Sequence, residues 1–474
     1  MKKFTFSSIF ISLACFVSLS QNKAAQSDNI FVNPNPALIK VADSGKLTKE
    51  QAVFDIDALI YSISEVHPDM FHVCNHDEFF RAVNQAKKSM PDSVTPLQLY
   101  RYVAPIIAMI GDGHTSLNFP FNSVFTKGIK RMPVFVDVLP DKSIICTSSF
   151  DSIITHGARI ISINDVSADS IVNSMMPFVS GERPHYKIAL INHLFSGLHH
   201  MLYSEDKYEV KYQPKDSDKV LSHTFQSITF DEIKERCPSA IEETKAEDYS
   251  YSIDILNNIA IMDFQRFSDV SRMEQFADSM FKELAQKNIS SLIIDIRNNS
   301  GGNSQVGDVI LRYISPKPFI QTDRVLVRET PLTSNLLGKD SSSHSFIFQE
   351  IDTTQFIQPR TPEEGHYDGD VYLLISNKTF SSASSFAWAF KECGIGETIG
   401  EETGGMNIHF GDIVKYSLPI SNLSANISHK RFWQLRAVEN DIHGTIPNIA
   451  VAADQALDTA MKIIIKLLES GKDG

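Results

Sequence analysis

The sequence predicts an α/β protein: a covered, mainly parallel sheet, preceded by a helical segment and then a mixed one. Three observations carry this. From about Tyr249 to Leu468, apolar runs of strand length alternate with runs of helical period, the signature of an α/β core. Within that region "SLIIDIR" (291–297) is apolar without interruption, as expected of a strand buried on both faces. From Leu47 to Ile110, by contrast, the period is helical throughout.

Taken in order, "TKEQAVFDIDALIYSISEVHP" opens with a Thr cap and Glu50. Apolar residues follow at Val53, Ile56, Leu59, Ile60 and Ile63. "HDEFFRAVNQAKKSM" and "TPLQLYRYVAPIIAMI" are two further helices, the second starting with Thr-Pro, a normal cap and first turn. They define a helical unit over 46–118 that ends in the turn "GDGHTSLNF". In the mixed unit, 128–225, "MPVFVDVLPDKSIICTSS" alternates like paired strands around Pro-Asp-Lys. "HGARIISINDVSADSIVNSM" reads as turn, strand, tight turn and helix, and "DKYEVKYQP" as a strand. The α/β core spans 249–468. Its strands include "NIAIMDF", "SLIIDIR" and "VYLLIS", and its helices "RMEQFADSMFKELAQKN", "GDVILRYI" and a terminal "DQALDTAMKIIIKLLES". The serine-rich stretch Ser341–Ser345 reads as a surface loop.

The 474 residues suffice for two or three domains, and 42% hydrophobic with 21% charged residues is ordinary for a globular chain. The net charge of −13, without a long basic run, argues against nucleic acid as a partner. Two lysines followed by an apolar stretch from Phe4 to Leu19 make residues 1–20 a secretory signal peptide by pattern, so an exported protein is expected. Cys15 raises a lipid anchor to the membrane as an alternative, although Leu13 stands one place off the usual spacing. Cys74, Cys146, Cys237 and Cys393 are far apart and form no CxxC pair; they read as isolated, mostly buried thiols.

Three segments carry groups able to do chemistry. In "NKTFSSASSFAWAF" a buried strand turns into a helix, with serines at 381, 382, 384 and 385. Backbone N–H groups are free there and the helix dipole favours developing negative charge, which suits a nucleophilic hydroxyl; serine also serves there as a plain N-cap. "DIRNNSGGNS" follows another buried strand, and its adjacent Gly301 and Gly302 allow a bare backbone N–H to approach closely. Both loops would meet at the C-terminal ends of parallel strands, where a hydroxyl and N–H donors assemble an oxyanion site. "GDGHTSL" holds His114 in a glycine-bounded turn, solvated or structural when seen alone.

Together, "SLIIDIRNNSGG", "SNKTFSSASS" and "GETIGEETGG" resemble the catalytic core of the tail-specific, or C-terminal processing, serine peptidase superfamily, which also includes the tricorn protease core and the interphotoreceptor retinoid-binding proteins. "HGARIISINDVSADSIV" resembles the family's PDZ-like domain, "GDGHTSL" the Asp-Gly-His-Thr turn of secreted bacterial members, and "GTIPNIAV" (444–451) their Gly-Val-x-Pro-Asp-Ile stretch. The resemblance implies a crotonase/ClpP-like α/β core with an N-terminal helical domain and a PDZ-like domain. It implies Ser382 as nucleophile, with the N–H groups of Ala383 and of Gly302, or alternatively Gly301, as the oxyanion hole. Donors of that kind contribute roughly 3 kcal/mol each.

The chain departs from the Ser-Lys branch of the family. Where that branch places its lysine this sequence has Asn407, and Lys391 and Lys415 fall at the wrong distance. A serine hydroxyl still needs a base. The tricorn-like branch takes a His from upstream, which implies His114, oriented by an acid near the end of the core. Asp441 has the spacing for that acid and Glu439 the residue type. "HPDMFHVCNH" gathers His67, His72, Cys74 and His76, but in no common zinc spacing. The expectation is a serine endopeptidase acting on peptides or proteins, without metal or cofactor. The alternatives are an inactive binding protein on the same scaffold and an esterase-type acyl hydrolase.

Overall fold

The computed structural model describes residues 45–126, 128–236 and 247–472. The signal segment, Cys15 and Cys237 lie outside them. The first unit is built from helices Lys49–Val66, His76–Ser89 and Pro96–Ala108. Two of them start on reciprocal caps: Thr48 pairs with Gln51, and Thr95 with Gln98 ahead of Pro96. The second unit is an antiparallel sheet in the order Leu221–Gln226, Lys207–Gln213, Arg159–Ile163, Ile144–Ser149, Val134–Val138. Helices Ala168–Met175 and Pro184–Tyr203 complete it. The Pro-Asp-Lys turn does join two paired strands, Val138 facing Ile144.

The α/β core holds a six-stranded sheet in the order Tyr249–Asp254, Ile259–Phe264, Ser291–Asp295, Asp370–Ile375, Glu397–Gly400, Ile449–Ala450. The first pair is antiparallel and the rest parallel. Strand 291–295 explains its own apolar run: Leu292 and Ile294 pack under helices 270–286, 304–314 and 382–392, while Ile293 packs with Ala456, Ala460 and Ile464 of the last helix. Each such fully buried side chain stabilises the fold by about 2 kcal/mol.

A second, antiparallel sheet stands beside the first, in the order Ser345–Glu350, Thr322–Glu329, Ser424–Gln434, Ile408–Ser417. Its long hairpin leaves a weak sequence signal, because the alternation is interrupted at Gly411-Asp412, where Asp412 has φ 55°. Ser345 opens an exposed edge strand of this sheet. The two-residue strand Ser116–Leu117 also joins it, pairing with Ala425–Asn426. The helical unit, the antiparallel unit and this sheet share one hydrophobic cluster: Leu59, Ile107, Ile160, Leu198, Tyr416 and Ile427 all belong to it. The helical and antiparallel units therefore share one core with the second sheet, while the six-stranded sheet packs in clusters of its own. Cys74, Cys146 and Cys393 are unpaired. Among the described residues no helix is long and apolar enough to cross a membrane.

Candidate active site

The serine turn is fixed by hydrogen bonds to its neighbouring strand. Thr379 Oγ1 accepts from Ser376 N–H at 3.0 Å and donates to the Ile296 carbonyl at 2.9 Å. Phe380 N–H donates to Asn299 O at 3.1 Å. Asn299, fully buried, accepts from Gly301 N–H through Oδ1 at 2.8 Å and donates to Phe264 O at 2.7 Å. The Asn of "RNNSGG" is thus a bracket between the two loops. Ser381 is held at φ 51°, ψ −129°, a region that costs a non-glycine residue of order 1–3 kcal/mol. Its side chain caps nothing, but its carbonyl accepts from Ser384 and Ser385 N–H at 2.9 and 3.0 Å and so starts helix 382–392.

The serines divide by environment. Ser384 Oγ donates to Thr379 O at 2.8 Å and Ser385 Oγ accepts from Gln434 at 2.6 Å; both are buried. Ser382 is half-buried, at the first helical position, and its Oγ donates to the Gly302 carbonyl at 2.6 Å. Gly302 has φ 142°, and a β-carbon there would stand 2.1 Å from Phe267 O. Its N–H has no acceptor among the described residues, whereas Gly301 N–H is committed to Asn299. Ala383 N–H makes a 3.1 Å turn bond to Phe380 O.

His114 reaches this site from more than 260 positions upstream. The strand Ser116–Leu117, two residues on, is added to the second sheet, and Asp112 fixes the turn. Asp112 Oδ1 accepts His114 N–H at 2.8 Å; Oδ2 accepts Ser428 Oγ at 2.6 Å and lies 3.2 Å from His67 Nε2. Thr115 Oγ1 accepts Ser428 N–H at 3.0 Å. Burial pushes the Asp112 carboxyl up, but the His67 hydrogen bond and the histidine charges outweigh it and hold the group ionised well below the usual carboxylate range.

The His114 imidazole lies between Phe380 (centroids 4.4 Å apart) and His409 (5.7 Å). Phe380 is two residues before Ser382, so the ring and the hydroxyl flank the same turn. They are not hydrogen-bonded: both ring nitrogens of His114 are buried without a partner. Burial lowers the His114 pKa against the opposing pull of Asp112 and Asp412, which keeps the imidazole neutral and able to accept a proton near neutral pH. His409 is pushed down to about 3, first by burial and then by His114.

The acids expected from the C-terminal segment are engaged elsewhere. Asp441 accepts Val438 N–H of its own loop at 3.0 Å and lies 3.9 Å from His443. Glu439 is bound by Arg431 and by Trp433 Nε1, the latter at 2.9 Å. Neither is among the groups that meet the His114 ring. Those are Asp112, with Oδ1 3.8 Å from Nδ1, and Glu182. The "GDGHT" turn announces Asp112 by adjacency; Glu182, in "SGERP", carries no local signal. Asn407 is buried, and Lys391 donates to Ile446 O at 2.6 Å, so neither supplies a lysine base. Asp112, His114 and Glu182 also present ligand atoms within 4.8 Å of one another, a spacing that a cation would accept, but the Asp112 oxygens already serve His114 N–H, Ser428 and His67.

A half-exposed serine on a strained turn, a glycine N–H without an acceptor and a neutral buried histidine form a candidate site for serine-type acyl transfer. Residues 258–450 match Peptidase family S41. The fold is similar to that of mature CPAF, with TM-score 0.64 and 13% identity over 89% of this chain and 97% of that one. A CPAF complex with lactacystin (TM-score 0.63, 13% identity, 89% and 98%) and the cpaf s499a mutant (TM-score 0.61, 13%, 89% and 98%) are similar as well. The match to peptidase family S41 thus covers the α/β core, residues 258–450, and with it the class of serine peptidase, while the solved structures share the fold.

Proposed function

We propose that the protein is an exported serine endopeptidase using Ser382 as nucleophile and His114 as general base. The observation that carries this reading is the shared turn: the half-exposed Ser382 hydroxyl follows Phe380, and the unpartnered His114 ring stacks on Phe380 at 4.4 Å. In the reaction the hydroxyl leaves the Gly302 carbonyl, gives its proton to His114 and attacks the peptide carbonyl. His114 then protonates the leaving amine, and water, with His114 again as base, releases the acyl group. The oxyanion is received by the N–H of Gly302, which has no other acceptor, and by that of Ala383, whose 3.1 Å turn bond is long enough to be shared. Asp112 places negative charge behind the ring. Asp441 or Glu439, the acids implied by the family resemblance, would have to leave their loop partners to take part.

A fluorophosphonate probe tests the reading. The wild type takes the label on Ser382 and Ser382→Ala takes none; an unlabelled wild type supports a binding protein on the same scaffold instead. Lactacystin, seen in complex with CPAF, is a second probe of the same group. Peptide and ester panels with Ser382→Ala as blank separate a peptidase from an esterase. Export is tested by fractionating cells that express the full chain and sequencing the mature N-terminus, with cleavage expected between about Ser20 and Ala25.

A further inference from the structure

Glu182 is a buried carboxyl group without a side-chain partner, beside the backbone N–H groups of Glu182 and Gly113. Both its oxygens are buried without a hydrogen-bond partner, and the two ring nitrogens of His114 are in the same condition. An oxygen of Glu182, a ring nitrogen of His114 and an oxygen of Asp112 lie within 4.8 Å of one another. A buried polar group left unpaired costs roughly 1–3 kcal/mol, and native proteins rarely keep one. Two that face each other are each other's missing partner.

The placement is built into the fold. A β-carbon on Gly113 would stand 2.9 Å from Glu182 Oε2, 2.8 Å from the Phe380 ring and 2.9 Å from the Tyr186 ring, so bare backbone at 113 is what lets the carboxyl close over the His114 turn. The residues after Glu182 fasten the segment to the α/β core. Arg183 reaches Glu402 Oε1 at 2.9 Å, and that oxygen also accepts Gly444 N–H. His185 Nε2 lies 3.0 Å from Thr403 O, Asn377 donates to His185 O at 3.0 Å, and the Tyr186 ring stacks on Phe380 with centroids 3.9 Å apart. Asp112 is not free for the same task, since its oxygens hold the turn and its 3.8 Å approach to Nδ1 exceeds a hydrogen bond.

We propose that Glu182, presented by the antiparallel unit, is a positioning residue for His114: its carboxylate accepts the N–H of one ring nitrogen and fixes the tautomer whose other nitrogen takes the Ser382 proton. The inference rests on the reading of Ser382 and His114 as nucleophile and base. Closing the bond takes a Glu182 oxygen from within 4.8 Å of the ring nitrogen to hydrogen-bond distance. The proton taken from Ser382 stays on the imidazole and leaves with the amine; none is transferred to Glu182. The titratable groups facing the pair are Asp112 on the same turn, Tyr186 on helix 184–203, and His409 and Asp412 on strand 408–417. Burial, and after it the Asp112 charge, push the Glu182 carboxyl up to about 8, so its ionised form grows in within the assay range.

The test uses the full chain and measures fluorophosphonate labelling and peptide turnover from pH 5 to 9. In the wild type both rates climb through an ionisation near 8. Glu182→Gln lowers kcat and labelling on the order of 10²-fold with KM little changed, and flattens the climb. Glu182→Asp recovers part of the rate. Thermal midpoints of Glu182→Gln stay at or above wild type, because a buried unpaired carboxyl has been removed. Wild-type rates and pH profile in Glu182→Gln overturn the role of Glu182 alone. Equal losses in Gln and Asp with a lowered midpoint overturn it too, as a purely structural effect. A wild type that takes no label on Ser382 overturns the nucleophile reading, and this inference with it.

Discussion

The two halves of the site are held by different kinds of force. The serine half is a lattice of short backbone and side-chain hydrogen bonds between adjacent strand ends: Thr379 to Ile296, Phe380 to Asn299, Asn299 to Gly301. The histidine half is held by ring stacking, by one ionised carboxyl and by a strand two residues long. A hydrogen-bonded lattice stores backbone strain, as at Ser381, and fixes donors in place. Stacked rings hold the imidazole without directional bonds to its nitrogens, which suits the proposed role as base.

Experiments that break the contrast begin with the reacting groups. Ser382→Ala and His114→Ala should each lower kcat by on the order of 10⁶, with unfolding midpoints nearly unchanged, measured with a peptide substrate. Next comes Asp112→Asn, which leaves His67 and Ser428 facing a neutral group; breaking a buried charged network costs about 3–5 kcal/mol in urea unfolding at pH 7. Because the folded-state pKa of Asp112 lies below its unfolded value, its contribution is present above pH 4 and lost as pH falls further, so the gap between wild type and Asn narrows below pH 4. Gly302→Ala strikes the lattice itself: a β-carbon 2.1 Å from Phe267 O at φ 142° should destabilise the fold by about 3 kcal/mol and abolish probe labelling. The smallest effect sharpens the contrast. Phe380→Leu removes the stack shared by His114 and Tyr186, and should lower kcat roughly 10-fold with KM almost constant, since the base loses its rest rather than its identity.

What the sequence discloses follows the same division. The serine half is contiguous in chain and space, so "RNNSGG" and "TFSSASS" announce it, and the uninterrupted "SLIID" announces the sheet beneath. The histidine half depends on pairs more than 300 residues apart, such as Asp112 with Ser428, and no local period records those. "GDGHT" points to His114 by family resemblance, not by periodicity. Asp441 and Glu439 have the right spacing and residue type for an orienting acid, yet their carboxylates are drawn to the closer Val438 N–H and to Arg431 with Trp433. Glu182 is invisible in sequence because its place beside the His114 turn depends on packing against Gly113, about 70 residues upstream in a different unit.

The pairing of Ser116–Leu117 with Ala425–Asn426 also sets a clock. A growing polypeptide completes the Ser382 helix at residue 392 but has no template for the His114 turn until residue 426 has emerged. The two halves of the proposed site thus cannot meet before residue 426 has been made. On the proposed reading, a product terminated between those two points would carry the Ser382 turn without the strand partner of the His114 turn.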